Sequence, residues 1–365
     1  MGKNISSFSV DKILDKAVSK EPLSRSEILF LLGLKKPDQA GKLFNTARKL
    51  RQKYFGDSIF LYGFLYLSTY CQNNCTFCHY RASNSSCSRY RKTYSEVLGA
   101  AADLADSGVN LLDLTTGEDP VYYGKEEGFG PLLQLLEEVK NQTSLPVMAS
   151  FGSLPDLVLD KLHEAGADWF ACYQETHNKT LFRNLRLNQD YDDRLEKKYK
   201  AAKTGLLIEE GILSGVGESL EDVADSIKEM KKMNAHQVRV MNFIPQRGTP
   251  MQNHKSPPEQ YELVIIAVLR LLFPDRLIPA SLDVYGVGGL KNKLDAGANV
   301  VTSIILPQSK MAGVAQSYLD ISEGYRTVKG ITPILDDIGL TKAAPGDYIS
   351  WIENEKKALS RNILL

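Results

Sequence analysis

From Ile59 to Ile304 the chain alternates short β-branched and aromatic runs with longer stretches whose apolar residues recur every three or four positions. The first kind of run suits a strand buried on both faces, and the second a helix laid over a sheet. The pattern predicts eight strands: Ile59–Leu67, Val109–Leu114, Pro146–Ser150, Trp169–Tyr173, Leu206–Leu213, Gln237–Asn242, Leu277–Ser281 and Val300–Ile304. Helical runs separate them, among them Ser95–Asp106, Pro155–Ala165, Leu220–Lys232 and Pro258–Leu272. Eight βα units in about 250 residues match a closed (β/α)8 barrel of TIM type, an α/β fold.

Both ends read as helical additions. Within residues 1–56, Ser24-Arg-Ser-Glu27 is a capping-box pattern that opens a helix stopping at Gly33, and a second helix, Gln39 to Tyr54, ends at Gly56. This extension is expected to cover one end of the barrel, which occupies 57–318. The segment 319–365 carries a last helical stretch, Leu319 to Leu359, expected to lie outside the barrel.

Charge narrows the functional classes. With 44 basic and 44 acidic residues the chain has no net charge, so neither a nucleic-acid partner nor an anionic membrane surface is expected. The longest apolar stretch, Leu263 to Phe273, contains Arg270 and is too short to span a bilayer. Five cysteines in 365 residues, with no signal peptide evident, point to a reducing cytoplasm rather than a disulfide framework.

Three of those cysteines carry the clearest chemistry. Cys71, Cys75 and Cys78 follow the first strand in C-x3-C-x2-C spacing. Three thiolates on one tight loop can hold three corners of an iron–sulfur cube and leave the fourth iron open to a substrate or cofactor. A four-ligand zinc site completed by Cys87 is the alternative, although no second C-x2-C pair is present. Cys87 and Cys172 read as non-ligands.

In a barrel of this type reacting groups sit at the C-terminal ends of the strands. Those ends bring Asp113, Ser150, Glu175, Arg239, Ser281, Asp283 and Ser303 together. Arg239 stands between Val238 and Val240, where a charge must point into the barrel mouth or find a partner. One guanidinium with two carboxylates suits a small zwitterion carrying an extra positive charge, such as a diamino acid. An internal Arg239–Asp283 ion pair is the competing reading.

These residues carry a resemblance. Tyr-Leu-Ser-Thr-Tyr-Cys71, Asp113-Leu-Thr-Thr-Gly-Glu-Asp-Pro120, Tyr173-Gln-Glu-Thr176, Arg239-Val-Met241, Ile278-Pro-Ala-Ser-Leu-Asp283 and Gly297-Ala-Asn-Val-Val-Thr-Ser303 resemble radical S-adenosylmethionine enzymes of the biotin synthase group, and within it the 3-methylornithine synthase family. The resemblance implies a 4Fe-4S cluster on Cys71, Cys75 and Cys78. It also implies S-adenosylmethionine beside Phe77, Gly117, Glu118, Ser150, Glu175 and Arg194. Asp113, Arg239, Ser281, Asp283 and Ser303 would then bind substrate, with its carboxylate on Arg239 and Ser281 and its ammonium groups on the two aspartates. The implied reaction is isomerisation of L-lysine to (3R)-3-methyl-D-ornithine through a 5′-deoxyadenosyl radical, with one electron drawn from a flavodoxin or ferredoxin. It assigns no general acid or base. Another radical enzyme of the same group, acting on a different small amino-acid-derived substrate, is the nearest alternative.

Overall fold

The computed structural model describes residues 8–307 and 320–363. All eight expected strands form: β1 (Ser58–Ser68), β2 (Leu111–Thr116), β3 (Val147–Ser150), β4 (Trp169–Ala171), β5 (Leu207–Ser214), β6 (Gln237–Asn242), β7 (Pro279–Ser281) and β8 (Val300–Ile304). They pair in parallel in the order β6-β5-β4-β3-β2-β1-β8-β7. The remaining seam closes at the N-terminal end of the strands. There Val238 N–H donates to Leu277 O at 3.0 Å and Leu277 N–H donates to His236 O at 3.1 Å.

Alternation along the strands builds two cores. One set of side chains, including Leu61, Leu112, Ala149 and Ile208, meets the surrounding helices. The other set points inward, and at the N-terminal end it is apolar: Phe60, Leu111, Met148, Trp169, Leu207, Leu277 and Val300.

The additions sit differently from expectation. Helices Val10–Val18, Arg25–Leu32 and Pro37–Phe55 form, and the Ser24–Glu27 capping box is complete. They lie along the barrel's flank, against the helix Glu259–Leu272, rather than over an end. The reason is readable in that helix, where every residue from Glu262 to Leu271 is buried. A helix apolar all round needs a second layer on its outer side. Its Arg270 is fully buried and is satisfied by the carbonyls of Phe273, Pro274, Arg276 and Gly297 and by Asn299 Oδ1.

The C-terminal segment does not simply pack outside. Its expected start at Leu319 falls outside the described residues. The chain then forms a helix Val328–Asp337, a short strand β9 (Thr341–Lys342) and a helix Pro345–Ile363. β9 pairs with the start of β1, and the last helix drives Tyr348, Trp351 and Ile352 across the N-terminal mouth of the barrel. Spaced i, i+3, i+4, these three make one apolar face. Tyr348 stands 4.9 Å from Phe60, and its hydroxyl meets Tyr62 Oη at 2.6 Å. Trp351 stacks on Trp169 at 5.8 Å with 4° between the rings. This end is sealed, so ligands must enter from the other.

Truncating that plug should cost stability. Tyr348→Ala is expected to lose about 3–5 kcal/mol, the usual cost of removing a buried aromatic side chain. A thermal or chemical unfolding midpoint equal to that of the parent protein would refute the plug's importance.

Candidate functional site

At the open end, β1 feeds the cysteine loop and β2 feeds the segment Gly117–Asp119. The two are fastened together before any ligand is considered. Arg91 holds the buried Asp119 carboxylate with two bonds, of 2.7 and 2.8 Å, and lies 3.9 Å over the Tyr70 ring. Gln72 N–H donates to Glu118 O at 2.8 Å. Gly117 is required by this contact, since a Cβ there would stand 2.6 Å from Tyr70 O and 2.8 Å from Cys71 Cβ.

The three cysteines are free thiols in different surroundings. Burial pushes the Cys71 thiol up to about 11 and raises that of Cys78 as well. Cys75 Sγ accepts from Gln189 Nε2 at 3.1 Å and from Arg186 Nη1 at 3.7 Å. Phe77 packs with Leu181, Leu185, Leu213, Val216, Phe243 and Met251, an apolar wall beside the loop.

Next to the loop is a polar hollow of about 250 Å³ lined in part by Gln72, Glu118, Ser153, Gln189 and Arg194. Glu118 Oε1 accepts from Ser153 N–H at 3.1 Å and faces Arg194 Nη1 at 3.5 Å. Asp190 caps the helix Tyr191–Lys203, which puts Arg194 in its first turn with the side chain buried. Glu175 and Arg194 do not pair with each other. Glu175 Oε1 takes Arg186 Nη2 at 2.6 Å, while Arg186 Nη2 and Arg194 Nε both donate to the carbonyl of Tyr173, at 3.1 and 2.9 Å.

Deeper in the barrel the substrate candidates form two clusters. In the first, Asp113 Oδ1 accepts from Ser150 Oγ at 2.7 Å and Thr115 Oγ1 at 3.0 Å. The structure therefore sets Ser150 with Asp113 rather than with Glu118 and Arg194. Burial, reinforced by the nearby Glu209 charge, pushes the Asp113 carboxyl up to about 6. Arg239 also lies close enough to influence Asp113. The Arg239 guanidinium binds Glu209 Oε1 through Nε at 2.7 Å and lies 5.4 Å over the Tyr173 ring, whose hydroxyl donates to Glu209 Oε2 at 2.7 Å. The competing Arg239–Asp283 pair is not formed. Asp283 belongs to the second cluster, where Arg326 Nη2 meets Oδ1 and Ser303 Oγ donates to Oδ2, both at 2.6 Å. Ser281 Oγ accepts the backbone N–H of Asp283 at 3.2 Å.

Comparison with known proteins decides what this mouth is. Residues 65–230 match the Radical SAM superfamily. The chain is 40% identical over 95% of its length to the 3-methylornithine synthase of Methanosarcina acetivorans, of which it covers 98%. It is 30% identical over 71% of its length to the FeFe-hydrogenase maturase subunit HydE of Thermotoga maritima, covering 74% of that protein. A crystal structure of methylornithine synthase (PylB) superposes with a TM-score of 0.88 at 39% identity, over 93% of this chain and 99% of that one. The chain belongs to the 3-methylornithine synthase family.

Members of that family are radical enzymes that use a 4Fe-4S cluster and S-adenosylmethionine. The residues here fit both groups. Among the described residues no three His, Cys, Asp or Glu side chains converge as ligands of a single ion do. A cube spreads its thiolates over three metal atoms and does not ask for that convergence. Arg186, which meets Cys75 Sγ, has its Nε buried without an acceptor among the described residues, as do several donors elsewhere, Arg81 Nε and Gln237 Nε2 among them. Cys87 lies in an apolar group with Phe64, Tyr66 and Tyr80, and its thiol donates to Ser88 O at 3.4 Å. Cys172 is buried in the layer between sheet and helices.

Sequence reading missed Glu209, Arg186 and Arg326. Glu209 carried a signal, because Leu207-Ile-Glu-Glu-Gly sets two acids in an apolar strand and alternation turns the first one inward. Its neighbour Glu210 turns outward and is paired with buried Lys198. Arg186 and Arg326 lie in ordinary polar surroundings of the sequence, and nothing local marks them.

Asp113 yields a test with a definite sign. Its folded-state pKa lies above the ordinary value of 3.8, so ionised Asp113 opposes folding at neutral and alkaline pH, and the penalty fades as pH falls through about 6. Asp113→Asn should raise stability by about 3 kcal/mol at pH 8 and by little near pH 4. Melting curves that move equally at both values would reject this account.

Proposed function

We propose that this chain isomerises L-lysine to (3R)-3-methyl-D-ornithine, the first step of pyrrolysine biosynthesis. The observation that carries the reading is the charge balance of the mouth. Among the described residues three carboxylates, Asp113, Glu209 and Asp283, stand against two guanidiniums, Arg239 and Arg326. Glu209 and Asp283 each have a guanidinium partner, and among the described residues the side-chain partners of Asp113 are hydroxyls. A pocket with one carboxylate in surplus complements a ligand of net charge +1, which is the charge of lysine.

The same geometry distributes the ends of the substrate. Among the described residues Arg239 spends Nε on Glu209 and offers Nη1 to the Met241 sulfur at 3.8 Å, leaving terminal nitrogens for a carboxylate beside Ser281. Asp113 receives an ammonium group, with Ser150 and Thr115 fixing its orientation. Asp283 and Ser303 form the further polar wall. Phe77, Gly117, Glu118, Glu175 and Arg194 would hold S-adenosylmethionine next to a cluster on Cys71, Cys75 and Cys78. When bound, the cluster and the sulfonium supply a radical able to abstract hydrogen from an unactivated carbon. The chain's own contribution is to tether both ends of the diamino acid, so that its skeleton is rearranged without release, and to exclude water. A flavodoxin or ferredoxin in the cytoplasm is the proposed electron source. Among the described residues no helix is long and apolar enough to cross a membrane.

Anaerobic, iron-loaded and reduced protein should convert lysine to 3-methylornithine by mass spectrometry, and its cluster resonance should change when S-adenosylmethionine is added. Unchanged lysine with accumulating 5′-deoxyadenosine would overturn the substrate and keep the superfamily. Arg239→Ala should abolish turnover with the cluster spectrum intact. Arg239→Lys, which keeps a cation for Glu209, should weaken lysine binding at least tenfold.

A further inference from the structure

The three cysteines are not served alike. Cys71 accepts from main-chain N–H groups, that of Asn73 at 3.5 Å among them, and Cys78 from the main-chain N–H of Tyr80. Among the described residues Cys75 is the one of the three met by side-chain donors, Gln189 Nε2 at 3.1 Å and Arg186 Nη1 at 3.7 Å. These two donors also support one another, since Arg186 Nη1 donates to Gln189 Oε1 at 3.3 Å. Arg186 is held from behind by Glu175 Oε1 and Tyr173 O, and it lies 5.6 Å from the centre of the Phe77 ring. Both donors come from one short stretch, the end of the helix Lys179–Leu185 and the turn after it.

We infer that Arg186 and Gln189 set the electron affinity of the cluster through the Cys75 sulfur. The inference rests on the cluster reading and adds a residue-level cause. Reduction adds one electron to a group whose negative charge is shared with its thiolates. A donor aimed at one of those sulfurs stabilises the reduced form more than the oxidised form, which raises the reduction potential. A buried guanidinium acts in the same direction with little solvent screening. Main-chain donors are available at the other two sulfurs whatever side chains are present. The pair on Cys75 is therefore the part of this environment that side-chain substitution can tune.

The test is a redox titration of the iron-loaded protein, reduced by dithionite and followed by electron paramagnetic resonance in the absence of substrate. Gln189→Leu removes the shorter bond without changing charge and should lower the midpoint potential. Arg186→Gln should lower it further, by a tenfold change in the reduction equilibrium or about 59 mV for one electron. Arg186→Lys, which retains the charge, should recover part of the loss. Midpoints equal to the parent's in Gln189→Leu and Arg186→Gln, at full iron content, would overturn the inference while leaving the cluster reading untouched. Should Arg186→Gln fail to fold, Gln189→Leu decides alone. A parent protein that takes up no iron would instead remove the cluster reading itself.

Discussion

A charge taken out of water must find its opposite, and the open end of this barrel is organised by that requirement. Among the described residues four acid–guanidinium pairs lie there with little solvent access: Arg239 with Glu209, Arg326 with Asp283, Arg186 with Glu175, and Arg194 with Glu118. Breaking a buried pair by removing one partner leaves an uncompensated charge, at a cost of about 3–5 kcal/mol. Each pair thus fixes the rotamers of two side chains that would otherwise be long and mobile. Asp113 is left outside this pairing and is met by the hydroxyls of Ser150 and Thr115.

The two ends of the barrel divide the work. At the N-terminal end aromatic rings and aliphatic chains close the interior, with Trp169 and Trp351 face to face. At the C-terminal end the same inward-facing rows carry Asp113, Glu209, Arg239 and Asp283. A radical intermediate needs surroundings that admit little water, and a bottom sealed by packing closes one of the two routes to the interior. The cysteine loop is bolted to the β2 segment through Arg91 and Asp119. The three cysteine thiols and the polar hollow beside them are thereby held in one frame.

Much of this was legible in the chain. The eight strands could be placed because their apolar runs are long and bounded by helical periodicity, and the cysteine spacing is specific enough to name its chemistry. Arg239, Asp113 and Asp283 could be picked out because a charge at the end of an apolar strand has few harmless places to go. The choice of partner could not be read in the same way. Arg239 turns to Glu209 across adjacent strands, whereas Asp283 turns to Arg326, a residue beyond the last barrel strand. Such choices depend on distances of a few ångström after folding, and no local pattern encodes them. The same limit explains the C-terminal segment, whose helix could be anticipated but whose insertion beneath the barrel could not.

The pairing of β9 with β1 carries a consequence for biogenesis. The strand that opens the barrel meets its lowest partner only after every other barrel strand has been translated, and the aromatic stopper emerges later still. A barrel formed without that helix would leave an apolar floor uncovered, and exposed apolar surface of this kind promotes aggregation. Closure of the barrel floor thus depends on residues that follow all eight barrel strands, even though the candidate site sits at the opposite rim.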